Sequence, residues 1–230
     1  MNMLFLLVFV STLAISLLAV WRVKRTYLRY SLVPASSGLS GAEVAARILE
    51  RAGITDVKIA ELDVMLGDHY DPLHKRLVLS SQNFHGTSTA ALGVSAHECG
   101  HAIQHHIAYA PLKWRMAAVG ATTYANQVVM WLPLIGMFTG LLSPYTGGLI
   151  MAVAWGVIML FNLVTLPVEF DASRRATAIL GGMGFIGTDD EMTAVRKVLN
   201  AAGWTYVAAF VTSLLYFLLH LLPLLTGRRE

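Results

Sequence analysis

The strongest constraint on the fold is a long stretch without charged residues. The 53 residues from Met116 to Val168 include no Asp, Glu, Lys or Arg. About 20 apolar residues in a helix cross the hydrocarbon core of a bilayer, so this stretch is long enough for two membrane-spanning helices. A turn-rich segment, 143–148, divides it. A buried hairpin of a soluble domain is the alternative, but such a hairpin seldom runs this far without a charge.

The composition of the whole chain agrees with a membrane protein. Hydrophobic residues make up 56% of the 230 residues and charged residues only 13%, which is about half the charged fraction of soluble domains. The net charge of +3 is too small to indicate nucleic-acid binding, so no nucleic-acid partner is expected. The single cysteine, Cys99, cannot form an internal disulfide.

Two further uncharged stretches lie near the chain ends, at residues 3–21 and 205–225. The first resembles a signal peptide in length, but its basic residues follow the apolar run instead of preceding it, which favours an uncleaved span. We therefore expect an α-helical membrane protein with about four transmembrane helices. The predicted spans are residues 3–21, 117–141, 148–167 and 205–225.

The distribution of basic residues predicts the orientation of these spans. With four spans, the polar segments 22–116 and 168–204 lie on the same side of the membrane. The first of them holds 11 of the 17 Lys and Arg residues, several of them next to span ends. The positive-inside rule therefore predicts that both segments face the cytoplasm and that both termini lie outside.

The segment 22–116 predicts a small α+β domain. Ser40 and Glu43 form a capping-box pattern at the start of a helix that Gly53 would end. Two strands are expected, at residues 55–63 and Arg76–Ser80. The second strand could receive an extended peptide if it lies at a sheet edge, although an internal strand has the same sequence pattern.

Two more helices are expected in the polar segments. One covers about residues 87–107. The other lies in the second polar segment, where Thr188 and Glu191 repeat the capping-box pattern, and ends near Gly203.

The helix at 87–107 contains His97-Glu98-Cys99-Gly100-His101, an H-E-x-x-H pattern. Residues four apart lie on the same face of a helix, so both imidazoles can bind one metal ion. Zinc fits nitrogen ligands, and we expect one Zn²⁺ per chain. Glu98 would then lie beside the metal as the general base that deprotonates a metal-activated water. A pair of core histidines is the alternative.

A catalytic zinc site needs a third protein ligand. Glu169 is the first candidate, because it follows the charge-free stretch and lies on the predicted cytoplasmic side with the two histidines. A carboxylate that only stabilises a helix start is the other interpretation of Glu169. His105 is the second candidate ligand, since it lies four residues after His101 on the same helix face.

Several of these motifs together resemble the bacterial membrane-bound neutral zinc metallopeptidase family. The similar stretches are His97–His101, residues 166–173 (LPVEFDAS), 67–72 (GDHYDP) and the helix start at 38–41 (GLSG). The resemblance covers most of the chain. It implies a zincin-like catalytic domain in the bacterial cytoplasmic membrane, with His97, His101 and Glu169 as zinc ligands and Glu98 as catalytic base.

The related zinc peptidases with a glutamate ligand, the gluzincins, usually carry an Asp four residues after that glutamate, where it supports a ligand histidine. Here that position is Ser173, and the nearest acid is Asp171. Both are therefore candidate supporting residues around the metal. His69 and Tyr70 are candidate contacts to the substrate or the transition state, although a turn His and Tyr are more often structural.

The sequence therefore predicts a membrane-anchored zinc endopeptidase that acts at the cytoplasmic face on peptide or membrane-protein substrates. A non-catalytic membrane scaffold with a structural zinc site is the alternative. An intramembrane protease is less consistent, because the H-E-x-x-H helix carries many polar residues and is followed by Lys113 and Arg115. A transporter or channel is disfavoured by the lack of charges within the spans.

Overall fold

The computed structural model describes residues 3–140 and 142–226. Within these residues the chain is mostly helical, with one small sheet. The helices are α1 (Met3–Tyr30), α2 (Gly41–Arg51), α3 (Ser81–Phe84), α4 (Thr89–His106), α5 (Ala110–Thr139), α6 (Pro144–Gly182) and α7 (Asp189–Thr226). The strands are β1 (Lys58–Leu62), β2 (His69–Asp71) and β3 (Arg76–Ser80). The predicted combination of long apolar helices with a small α+β region is confirmed at this level.

The chain divides into two compact units. One unit combines the described residues of 1–18, 114–166 and 205–230, and the other combines 19–113 with 167–204. The second unit contains all of the sheet and α4. It therefore unites two polar segments that the charge-free stretch separates in sequence.

The sheet has the strand order β1-β3-β2. β1 pairs with β3 in parallel, and β2 pairs with β3 in antiparallel orientation. β3 is therefore the central strand, and four of its five residues are buried. The hypothesis that Arg76–Ser80 receives a peptide at a free edge is wrong, because both edges of this strand are already paired. β2 is not among the strands that the sequence predicts, because its three residues are too few to show an alternating pattern.

The core of the second unit lies where α2, α4, α6 and α7 meet the sheet. The predicted capping box at α2 is present: Ser40 Oγ accepts from the Glu43 backbone N–H, and the Glu43 carboxylate accepts from the Ser40 N–H. The apolar face of α2, with Val44 and Ile48, packs into one cluster with Leu77 and Leu79 of β3. Buried side chains of this kind each contribute about 1.5–3 kcal/mol.

Three helices of the described residues, α1, α6 and α7, are long and apolar enough to cross a membrane. The predicted span at 117–141 lies mostly in α5, which is not among the three; Asn126 and Gln127 make its middle less apolar. Residue 141, at the end of that span, lies outside the described residues. A fourth membrane span therefore stays a prediction.

α7 is longer than the sequence indicated. The helix begins after Thr188 and continues to Thr226. Only half of the predicted capping box is present: the Thr188 hydroxyl accepts from the Glu191 N–H, but the Glu191 carboxylate accepts from the N–H groups of Ser36 and Gly187. The prediction that the helix ends near Gly203 is wrong. An added Cβ at Gly203 would lie 3.2 Å from the Phe170 ring, so this glycine provides room for packing within the helix.

Asn162 forms a polar contact between α6 and α7 in the first unit. Its amide donates to Ser213 Oγ at 3.0 Å and to the Ala209 carbonyl at 3.2 Å. Hydrogen bonds of this kind hold neighbouring apolar helices together.

Candidate metal centre

α4 presents the two histidines of the H-E-x-x-H pattern. The helix begins at the N-cap Ser88, whose hydroxyl accepts from the Ala91 N–H at 3.2 Å. Most of its residues are buried, so neighbouring elements hold it on several sides. The rings of His97 and His101 lie on one side of the helix, with centroids 4.7 Å apart.

Gly100 allows α6 to approach α4 closely. A Cβ at Gly100 would lie only 2.8 Å from the Ala172 carbonyl oxygen and 3.1 Å from the Ala172 Cα. Only a residue without a side chain fits this contact. Since Glu169 lies three residues before Ala172 on α6, the close approach brings its carboxylate to the histidines.

His97, His101 and Glu169 form one buried cluster. Glu169 Oε2 lies 3.3 Å from His97 Nε2 and 3.5 Å from His101 Nε2. All three potential ligand atoms lie within 4.8 Å of one another, and no other such group of His, Cys, Asp and Glu occurs among the described residues. The Glu169 side chain is only 2% exposed.

This geometry fits a zinc ion. Ligand atoms about 2.0–2.2 Å from zinc in a tetrahedral arrangement lie about 3.3–3.6 Å from one another. The distances of Glu169 Oε2 to both imidazole nitrogens agree with this spacing. Two imidazoles and one carboxylate are also the donor set of catalytic zinc sites with an open fourth position.

Gln104 orients His101. Its Nε2 donates to the Val168 carbonyl at 2.8 Å and to Asp171 Oδ2 at 2.9 Å. Both amide hydrogens are then in use, so the Gln104 Oε1, 3.0 Å from His101 Nδ1, accepts a hydrogen bond from the N–H of that ring nitrogen. The arrangement leaves the lone pair on His101 Nε2, the atom that points to Glu169.

Gln104 was not identified from the sequence. The available signal was its position three residues after His101 on the same helix face, which places the two side chains in contact. Its partners Val168 and Asp171 lie on α6, 64 and 67 residues further along the chain. Sequence spacing gives no indication of that contact.

The two predicted supporting residues, Ser173 and Asp171, are linked to different histidines. Ser173 Oγ lies 3.2 Å from His97 Nδ1, so Ser173 occupies the place expected for a supporting Asp. Asp171 reaches His101 through Gln104 and also accepts from Arg174 and Arg175. Each histidine thus has a partner on its Nδ1 side, an arrangement that orients metal-binding imidazoles.

Glu98 is 7% exposed and lies next to His97 in sequence. Burial raises the pKa of its carboxyl, while the charges of His97 and His101 act in the opposite direction. Glu98 is not part of the three-residue cluster. Its carboxyl lies close enough to His97, His101 and Glu169 to interact with all three electrostatically.

His105, the alternative ligand, is engaged elsewhere. Its Nδ1 lies 2.8 Å from the Tyr70 hydroxyl, and the two rings pack with centroids 5.8 Å apart. Burial raises the pKa of Tyr70 to about 12. His69 is exposed, and its Nδ1 donates to the Gly67 carbonyl at 2.8 Å. The cluster thus contains Glu169 and not His105, and a substrate role for His69 or Tyr70 stays a prediction.

Comparison with known proteins identifies the family. The sequence profile of the family described as "Putative neutral zinc metallopeptidase" matches residues 5–225. The chain belongs to this neutral zinc metallopeptidase family. The resemblance seen in the sequence motifs is thereby confirmed.

One relative of this chain is the protein named "Putative membrane protease YugP" from Bacillus subtilis (strain 168). The two are 40% identical over 228 residues, which cover 99% of this chain and 100% of the relative. No solved structure matches the chain.

Proposed function

We propose that this protein is a membrane-anchored, zinc-dependent endopeptidase. The observation that carries the proposal is the buried cluster of His97, His101 and Glu169, with spacings that suit zinc. Membership in the metallopeptidase family supports the same activity. The name of the Bacillus relative supports proteolysis at a membrane.

The proposed reaction divides its chemistry between zinc and Glu98. When bound, zinc would supply the Lewis acidity that polarises the scissile carbonyl and acidifies water. Glu98 takes the proton from the attacking water and passes it to the leaving amine.

We place the site on the cytoplasmic side of the bacterial cytoplasmic membrane. The segment 22–116 holds 11 of the 17 basic residues, and basic residues accumulate in cytoplasmic segments. Glu169 directly follows the charge-free stretch that ends at Val168. A site so close in sequence to an apolar span favours membrane proteins, or peptides near the bilayer, as substrates.

The test uses the Glu98→Gln variant in the full-length protein, purified with zinc. We expect the zinc content to stay near one ion per chain, while hydrolysis of a peptide library falls by about 10²–10⁴-fold, because the proton acceptor is lost. Zinc content is measured by elemental analysis and cleavage by mass spectrometry. Glu50→Gln, an exposed change of the same type on α2, is the control and keeps full activity.

The same experiment distinguishes the proposed peptidase from a non-catalytic scaffold with a structural zinc site. If the parent protein binds zinc but cleaves no library peptide in a zinc-dependent way, the metal has a structural role. If Glu98→Gln cleaves as well as the parent, Glu98 is not the general base.

A further inference from the structure

α1 and α7 carry a group of basic residues without any acidic residue among them. Residues 19–30 of α1 contain no Asp or Glu, and neither do residues 192–204 of α7. The basic residues of these two stretches are all exposed: Arg22, Lys24, Arg25, Arg29, Arg196 and Lys197.

Aromatic rings bring the basic residues of the two helices together. The Arg29 guanidinium and the Lys197 ammonium lie over the same ring, 5.5 and 5.9 Å from the centroid of Tyr30. Seven residues away on each helix, the Arg22 guanidinium lies 5.7 Å from the Trp204 ring. The two helices therefore run antiparallel along one shared surface.

Three of the arginines follow the repeat of a helix. Arg22, Arg25 and Arg29 are spaced i, i+3 and i+7, which places them along one face of α1. Together with Lys197 they form what we call the basic surface.

No carboxylate balances the basic surface. Among the residues that the structure describes, none of its four cations lies within 4.0 Å of an Asp or Glu oxygen. The acid nearest in sequence on α7, Glu191, binds the backbone N–H groups of Ser36 and Gly187 instead. Four like charges without a counter-charge attract an anion from outside the protein.

The position of the basic surface along the chain indicates the source of that anion. Arg22 directly follows the uncharged stretch 3–21, and Trp204 directly precedes the uncharged stretch 205–225. The contact between Arg22 and Trp204 thus places the ends of two apolar stretches side by side. Trp21 and Trp204 are 56% and 52% exposed, and exposed tryptophans at such ends are typical of the membrane interface.

We propose that the basic surface, formed by Arg22, Arg25, Arg29 and Lys197, binds the phosphate of anionic phospholipid headgroups. One guanidinium group can bind two oxygens of a phosphate at once through its fork of N–H donors, and the lysine adds a further positive charge. The proposed lipid site is independent of peptide hydrolysis, because it uses neither the zinc cluster nor Glu98. Its failure would therefore leave the proposed peptidase activity untouched, and the reverse also holds.

The test measures lipid binding to the full-length protein in detergent by native mass spectrometry. The probes are phosphatidylglycerol and phosphatidylcholine with the same acyl chains. We expect the parent protein to retain phosphatidylglycerol at least tenfold more tightly than phosphatidylcholine. The variant Arg29→Gln/Lys197→Gln loses roughly 30-fold in affinity for phosphatidylglycerol, since each basic residue near an anionic surface contributes about fivefold.

A matched control removes the same net charge elsewhere. Arg47→Gln/Lys58→Gln changes two exposed basic residues on α2 and β1 and keeps the affinity of the parent. Circular dichroism and thermal melting of both double variants verify that they fold. Raising the salt concentration weakens binding of phosphatidylglycerol to the parent, because the attraction is electrostatic.

Three results would overturn the lipid site. Equal affinity for the two lipids in the parent would show that charge does not select the headgroup. An equal loss of phosphatidylglycerol affinity in the Arg47→Gln/Lys58→Gln control would show that the effect comes from net charge alone. Displacement of phosphatidylglycerol by millimolar inorganic phosphate would make the basic surface a site for free anions.

Discussion

Gln104 connects the parts of the cluster that come from different helices. Through one amide it contacts the His101 ring on α4 and both Val168 and Asp171 on α6. Its side chain is fully buried, so each of its polar atoms requires a partner within the protein. Gln104 therefore keeps the hydrogen on His101 Nδ1 and leaves the lone pair on Nε2, which faces Glu169.

Replacing Gln104 with Leu should weaken zinc binding. The variant leaves His101 Nδ1 without its acceptor and Asp171 without one of its donors, and loss of such partners typically costs 10–100-fold in metal affinity. Competition with a chromogenic chelator measures the affinity.

The control for this variant is Gln82→Leu, an exposed glutamine on α3, which keeps the parent affinity. Unchanged zinc affinity in Gln104→Leu would show that the orientation of His101 does not depend on the amide.

The sequence predicted the residues of the cluster better than the contacts around it. His97 and His101 share a helix face, so their proximity follows from local geometry alone. The approach of Glu169 depends on how α6 packs against α4, and sequence spacing contains no information on that packing. The same limit explains why Ser173 and Asp171 were expected near the metal, while the histidine that each of them supports was not predicted.

At the scale of secondary-structure elements, local signals located helix starts more reliably than helix ends. Ser40 and Thr188 both cap helices as predicted, because a capping hydroxyl acts within three residues. Gly203 shows the opposite case. A glycine ends a helix when its φ is positive, as at Gly53 (φ 70°), but Gly203 is helical and packs against Phe170.

The contact between α4 and α6 gives a prediction at this scale. Gly100→Ala places a Cβ 2.8 Å from the Ala172 carbonyl oxygen, which forces the two helices apart. We expect a loss of about 1–3 kcal/mol in the free energy of unfolding, as for other overpacked cores, together with weaker zinc binding. Chemical denaturation and chelator competition measure the two effects.

Gly120→Ala, another glycine-to-alanine change within a helix, is the control for Gly100→Ala. Gly120 lies in α5, and a Cβ there meets nothing within 4 Å. This variant gains about 0.5–1 kcal/mol from helix propensity. If Gly100→Ala were as stable as the parent and bound zinc equally well, the close approach of the helices would not be needed for the site.

For the molecule as a whole, the composition predicted a membrane protein, and three long apolar helices agree with it. The number of spans was harder to predict, because a helix such as α5 combines an uncharged sequence with several polar residues. The union of 19–113 with 167–204 in one unit was also beyond local patterns. Only contacts between distant segments, such as Gln104 with Asp171, reveal it.

Removal of zinc should lower the thermal stability of the protein. The cluster joins α4 to α6, so a bound ion stabilises the folded state by about 4 kcal/mol when its concentration is a thousand times the dissociation constant. We expect a chelator to reduce the melting temperature by roughly 10 °C, and added zinc to restore it. Differential scanning fluorimetry in detergent measures the change.

The variant His97→Ala provides the reference for this measurement, because it lacks one of the three side chains and its melting temperature should not respond to the chelator. A parent protein that melts at the same temperature with and without chelator would contradict a zinc site between the two helices.

The distance along the chain between the members of the cluster also has a consequence for biosynthesis. Glu169 follows His101 by 68 residues, and most of the intervening sequence is the charge-free stretch. A ribosome-bound polypeptide that ends before this stretch has been translated carries both imidazoles but lacks the carboxylate. The complete centre can therefore assemble only after these apolar residues have been synthesised, so under the proposed function the nascent chain has no peptidase activity until then.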